Sequence, residues 1–252
     1  MAEQKSVSSA IGGAPISWVA LMGALIGGGS VIPLIYYVEG GGYHSLSYAL
    51  ICVIAAILGP WGAGAAAFIG GVISMFLAPG FQPQQILIYY MGPTIIAGLI
   101  LNRKWKWVVW VPALGILWYL FVPWYIPGDP RIGNIPQPFM AASGWYNYAA
   151  LPLMLTVGRN LVPNWVAGSD KKKMFVGLML LSWISTQSCH LWGWAISILF
   201  YYPIPAMVVA VLMAVTVPFE RLMLQILSGL IGVPLLLSMR RSGLRKIPGA
   251  VW

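Results

Sequence analysis

The stretch 46–79 reads LSYALICVIAAILGPWGAGAAAFIGGVISMFLAP and holds no Asp, Glu, Lys or Arg. A helix crossing the hydrocarbon core of a bilayer needs roughly 20 apolar residues, and fewer where short helices pack together. As one straight helix the stretch would be about 50 Å long, well beyond that core. Gly59 and Pro60 fall near its middle. Proline cannot donate to a helical ladder, and glycine tolerates a sharp turn. The pattern predicts two crossings, 46–59 and 61–79, joined by a tight cytoplasmic hairpin turn.

The rest of the chain has the same character. Of its 252 residues 60% are apolar and 8% charged, and the mean hydropathy is +0.82. A soluble domain carries about 25% charged residues. This composition excludes a soluble enzyme, a secreted disulfide scaffold and a disordered tail. The 29 Gly and 19 Pro fit membrane helices, where both are commoner than in soluble ones. Further spans are predicted at 16–38, 85–102, 105–126, 144–162, 174–201 and 219–239. The apolar piece 205–217 is too short to cross. Lying between Pro203/Pro205 and Pro218, it reads as a half-helix, a re-entrant piece or the first half of one long bent helix. The expected fold is an all-α, polytopic transmembrane bundle of six to eight spans. One membrane domain, 16–240, lies between cytoplasmic tails 1–15 and 241–252, with no signal-peptide pattern.

The basic residues orient the bundle. Arg103, Lys104 and Lys106 form one cluster, Arg159 with Lys171, Lys172 and Lys173 a second, and Arg240, Arg241, Arg245 and Lys246 a third. With eight crossings and a cytoplasmic start, all three fall on the cytoplasmic side, leaving Arg131, Glu39 and Asp129 outside. The net charge of +9 is thus read as topology bias and attraction to anionic lipid, not as a nucleic-acid surface. Proline density makes the outer connection 127–144 irregular or extended. The outer loop EGGGYHS, 39–45, can move or hug a ligand through Glu39, Tyr43 and His44, or serve only as a flexible turn. Cys52 and Cys189 lie inside apolar runs and read as free core thiols.

In the first span Ala20 and Ala24, Gly23 and Gly27, and Ala24 and Gly28 are four apart. Small residues so spaced let another helix come close, within the bundle or in a partner subunit.

Catalytic machinery is sparse. Two histidines, five carboxylates, no metal-ligand spacing and no phosphate loop argue against an enzyme, a resident cofactor and a metal site. Ser185 or Ser188 near His190 is the one conceivable nucleophile pair, and no orienting motif accompanies it. The informative segment is LSWISTQSCHLWGW, 181–194, where Trp183, Gln187, His190 and Trp194 recur on one helical face. Polar groups at membrane depth face the bundle interior or a cavity. Two indoles, an amide and an imidazole suit a flat heteroaromatic ligand; interhelical hydrogen bonding is the plainer reading. Glu220 and Arg221 start the last span. Glu220 either needs a partner at membrane depth or caps a helix N-terminus. Tyr36, Tyr37, Gln85, Tyr89, Tyr146 and Asn147 read individually as interface anchors, with Asn147 also a candidate ligand contact.

ALICVIAAILGPWGAGAAAFIGGVISMFLAPG (49–80) followed by QILIYYMGPTIIAGLILNRK (85–104) resembles the second to fourth helices of substrate-binding S components of energy-coupling factor (ECF) transporters. VPFERLMLQILSGLIGVPLLLSMRRSGLRK (217–246) is similar to that family's last helix, and Ala20 and Ala24 match its small-residue stripe. The resemblance covers about half the chain. The family usually has six helices, so this chain would be an enlarged member with the excess around 103–165. What the resemblance implies is a prokaryotic uptake system. This chain would bind a vitamin-like substrate, and Ala20, Gly23, Ala24 and Gly27 would meet a transmembrane coupling subunit driven by two cytoplasmic ATPases. The histidine motif that begins the family's nickel and cobalt members is missing, so a small organic ligand is expected. The alternative is a non-catalytic subunit or assembly factor of a larger membrane complex.

Overall fold

A computed structural model describes the chain over residues 10–36, 43–78, 81–121, 137–200 and 210–252. It is helical nearly throughout, with α1 (Ile16–Gly29), α2 (Leu46–Leu77), α3 (Pro83–Leu101), α4 (Trp105–Phe121), α5 (Gln137–Ser143), a broken helical run α6 (145–167), α7 (Lys171–Phe200) and α8 (Leu212–Arg241). Two short antiparallel ribbons complete it: β1 (Ala10–Ile11) with β2 (Ala14–Pro15), and β3 (Pro33–Tyr36) with β4 (Tyr43–Ser45). Four helices, α2, α3, α7 and α8, are long and apolar enough to cross a membrane. Leu21, Leu25, Leu87, Leu117, Phe219 and Leu230 are among the large apolar side chains left exposed. Such an exterior suits lipid better than water.

The helical run α2 folds back on itself at Gly59. That residue has φ 71 and ψ 177, a conformation essentially reserved for glycine. The contacts of α1 show the reversal. Ser47 Oγ donates to Ile26 O, while a Cβ on Gly70 would lie 2.5 Å from the Ile26 side chain. In a straight helix residues 47 and 70 would be about 35 Å apart. The limbs 46–58 and 60–77 are therefore antiparallel, as the Gly59-Pro60 pair predicts. Pro60 leaves Ala56 O without its helical donor, and Val251 N–H supplies one at 2.9 Å. The Trp252 indole donates to the next carbonyl, Ile57 O, at 2.9 Å.

Around this hairpin the helices alternate in direction. α3 runs against limb 60–77, with Gly98 beside Pro60 and Gly71 beside Ile86. α8 runs with limb 46–58, tied by Ser228 Oγ donating to Ala49 O at 2.6 Å. α6 and α7 are antiparallel, joining Asn147 to His190 at one end and Gly177 to Val166 towards the other. One end of the bundle thus collects Gly59-Pro60, the turn after α3, the start of α7 and the segment 247–252. It also carries the basic clusters apart from Arg159, which follows Gly158 and so lies level with Ile184, about 20 Å along α7 from Lys171. Arg103 donates to Asn164 Oδ1, and Arg240 to the carbonyls of Gly168 and Val166.

Several boundaries differ from expectation. The span expected at 16–38 is helical only to Gly29; the run Gly27–Gly29 weakens the helix, and Pro33 starts a ribbon strand instead. The outer loop 39–45 is correspondingly strand over Tyr43–Ser45, while Glu39 lies outside the described residues. Residues 137–143 of the outer connection form a short helix rather than an extended segment. The span at 144–162 is interrupted at Ala149 and by a π-turn at Met154–Gly158. Residues 210–217 run without a break into α8, so this part of the 205–217 piece is the start of one long helix; 201–209 lie outside the described residues. There Pro218 leaves Ala214 O without a helical donor, and Trp145 Nε1 donates to it at 3.0 Å.

Candidate functional site

The polar stripe of α7 faces inward in the half of the bundle away from the basic end. Gln187 lies about 24 Å along the helix from Lys171. Trp183 stacks on Tyr146 of α6, with centroids 4.6 Å apart and planes at 15°. Its Nε1 donates to Tyr146 O at 3.2 Å, which fixes the indole along the neighbouring backbone. His190 is held from both sides. Trp194 Nε1, one turn on, lies 2.9 Å from His190 Nε2, and Asn147 Oδ1 lies 2.7 Å from Nδ1. An indole nitrogen only donates, so Nε2 accepts and the imidazole proton sits on Nδ1. His190 then donates to Asn147 Oδ1, which turns the Asn147 amide nitrogen away from the ring.

The opposite wall comes from β4, α2, α3 and α8. His44 Nε2 donates to Glu220 Oε2 at 3.1 Å, and both residues are buried. Of the two readings of Glu220, the structure supports a partnered carboxylate inside the bundle. The Arg221 guanidinium lies over the Tyr48 ring, 5.5 Å from its centroid. Tyr48 meets His44 edge-on at 5.3 Å and Tyr89 at 6.3 Å, and Tyr89 reaches His190 at 5.9 Å. Gly193 gives the Tyr89 hydroxyl room against the α7 backbone. One turn beyond Arg221, Gln225 accepts from the Tyr146 hydroxyl at 3.0 Å. One connected set of rings and polar groups therefore runs from His44 to Trp194.

This set is incompletely satisfied. Asn147 Nδ2, Gln187 Oε1, Gln225 Nε2 and Arg221 Nε are buried with no hydrogen-bond partner among the described residues. Asn147 and Gln187 are 0% exposed, Gln225 is 1% and Arg221 is 5%. Each unmade bond of this kind costs about 1–3 kcal/mol, and natural cores hold few of them. Four such atoms fall in this one cluster, while Gln84, Trp118 and Tyr148 carry others elsewhere among the described residues.

Trp183, Gln187, His190, Trp194, Asn147, His44 and Glu220, all singled out from the sequence, are brought together. Tyr43 is not; its hydroxyl donates to Ser30 O at 3.0 Å and its ring packs on Tyr36, closing the ribbon. The small-residue stripe of α1 divides. Gly23 and Gly27 are buried within the bundle, where a Cβ would come within 2.8 Å of Ile69 and 2.5 Å of Ile73. They cannot meet a partner subunit, because α2 already occupies that face. Ala20, Ala24 and Gly28 lie on the exposed side with Leu21 and Leu25.

Tyr48 and Gln225 escaped the sequence reading. Gln225 carried a signal, an amide one turn from Arg221 in an otherwise apolar run; Tyr48 carried none. Ser185 and Ser188 donate to carbonyls of their own helix, and both nitrogens of His190 are engaged elsewhere. Among the described residues no group of three or more His, Cys, Asp or Glu could hold a metal ion. Comparison with protein-family models, curated proteins and solved structures returns no match for this chain.

Proposed function

We propose that this chain is a multi-pass protein of the cell membrane, crossing it eight times with both ends cytoplasmic. It acts as the substrate-binding subunit of an ECF-type uptake transporter and captures a small, ring-containing organic molecule, such as a vitamin, from the outer face. The observation that carries this reading is the buried aromatic and polar cluster with its four unpartnered polar atoms. The basic clusters at the opposite end support the orientation. The exposed Ala20–Ala24–Gly28 face supports contact with a coupling subunit, with cytoplasmic ATPases supplying the energy. The same face also favours a second reading, a non-catalytic subunit of a larger membrane complex.

The test is native mass spectrometry of the protein purified in mild detergent. Under the binder reading a small molecule travels with the wild type and is lost from Trp183→Ala and His190→Ala. A chain that arrives empty, and only with other membrane subunits, supports the second reading.

A further inference from the structure

We propose that the ligand of this cluster is an oxyanion, carrying a carboxylate or phosphate that docks on Arg221; the inference rests on the binder reading above. Three of the four unpartnered atoms are donors: Arg221 Nε, Asn147 Nδ2 and Gln225 Nε2. Only Gln187 Oε1 is an acceptor. The bonds already present fix this balance. His190 takes the oxygen of Asn147 and Tyr146 takes the oxygen of Gln225, so each amide is left presenting its nitrogen. A donor-rich lining complements an acceptor-rich group.

Arg221 adds charge. A guanidinium 5% exposed in an apolar bundle requires an anionic partner at close range. Glu220 is its neighbour in sequence, and adjacent residues on a helix point in different directions. The Glu220 carboxylate is hydrogen-bonded to His44, and among the described residues no carboxylate oxygen lies within 4.0 Å of the Arg221 guanidinium. The cation instead lies against the Tyr48 face, which steadies its plane and leaves the guanidinium fork for a ligand. It is close enough to act electrostatically on Glu220, His44, His190 and Tyr146, so it sits within the cluster and not beside it, with Glu220 in range but not in contact. The Tyr146–Trp183 stack supplies a wall for the ring that the oxyanion is attached to.

The experiment is thermal unfolding of the full chain in mild detergent, followed with a thiol-reactive fluorophore that reports exposure of the buried Cys52 and Cys189. The probes are indole-3-acetate, its neutral counterpart indole-3-acetamide, and phenyl phosphate, each at millimolar concentration. We expect one of the two anions to raise Tm by about 3 °C, the larger shift identifying carboxylate or phosphate, while the amide gives less than about one third of it. Arg221→Met should abolish the shift and Arg221→Lys retain part of it. Equal shifts from acetate and acetamide overturn the inference while leaving a binding site for rings intact. A full shift in Arg221→Met overturns it likewise. No shift from any probe counts against the oxyanion and the binder reading together. If Arg221→Met does not fold, the acetate–acetamide difference in the wild type decides.

Discussion

The two ends of the bundle treat buried polar groups in opposite ways. At the basic end donors are matched to carbonyls. Val251 and Trp252 serve Ala56 O and Ile57 O at the hairpin break, Arg240 serves Gly168 O and Val166 O, and Asn102 Nδ2 donates to Gly98 O and Gly249 O. Away from that end Asn147, Gln187, Gln225 and Arg221 each keep a buried atom without a partner. Polar residues therefore hold the fold together at one end. At the other they leave buried bonding capacity unused, which lowers stability; under the proposed binder reading that capacity serves a ligand, the usual trade between stability and function.

The largest effect should come from breaking the closed end. Trp252 is 7% exposed and its indole completes the hairpin break. Trp252→Ala removes both the packing and the donor, and should cost about 4 kcal/mol. Thermal unfolding with the thiol-reactive probe measures it. A variant with wild-type Tm would show that segment 247–252 contributes nothing to closure.

Gly59→Ala comes next. The residue has φ 71, and an added Cβ would lie 2.9 Å from Pro248 O. Strain of this kind costs about 1–3 kcal/mol. Because the turn is far from Arg221 and Gln187, the probe-induced Tm shift should survive although the baseline falls. Loss of the ligand shift in Gly59→Ala would mean that the two ends are coupled, and the contrast between them would no longer hold.

How legible these two ends were in the sequence follows from the reach of each signal. The hairpin at Gly59-Pro60 was plain, since proline and glycine act through their own backbone. The stripe Trp183, Gln187, His190 and Trp194 was plain too, since one helix sets its geometry. The apolar run after Pro218 placed Glu220 at the start of the last span but did not show its partner. His44 lies 176 positions away, on a ribbon whose strand pairing depends on Pro33–Tyr36 meeting Tyr43–Ser45. The Tyr146 hydroxyl joined to Gln225 was hidden for the same reason: the pair spans two helices, and no spacing rule reaches across them. On α1 the four-residue spacing could not say which stripe was buried. Gly23 and Gly27 share that spacing with Ala20 and Ala24, and only the Ile69 and Ile73 side chains decide between them.

The finest test sets one amide against another. Asn102→Leu removes two hydrogen bonds from the closed end, to Gly98 O at 2.8 Å and Gly249 O at 2.9 Å. It should destabilise by about 1–2 kcal/mol. Gln187→Leu removes one long bond, to Thr186 Oγ1 at 3.3 Å, together with an oxygen that has no partner. Exchanging that amide for an apolar side chain of similar size relieves the cost of burying an unpaired acceptor, so stability should hold or rise by about 1 kcal/mol. The ligand-induced shift should fall at the same time. The two substitutions are chemically alike, so opposite signs would locate the difference in the surroundings of each amide. If Gln187→Leu destabilised as much as Asn102→Leu, the cluster would be structural, and the four unpartnered atoms would no longer point to a ligand.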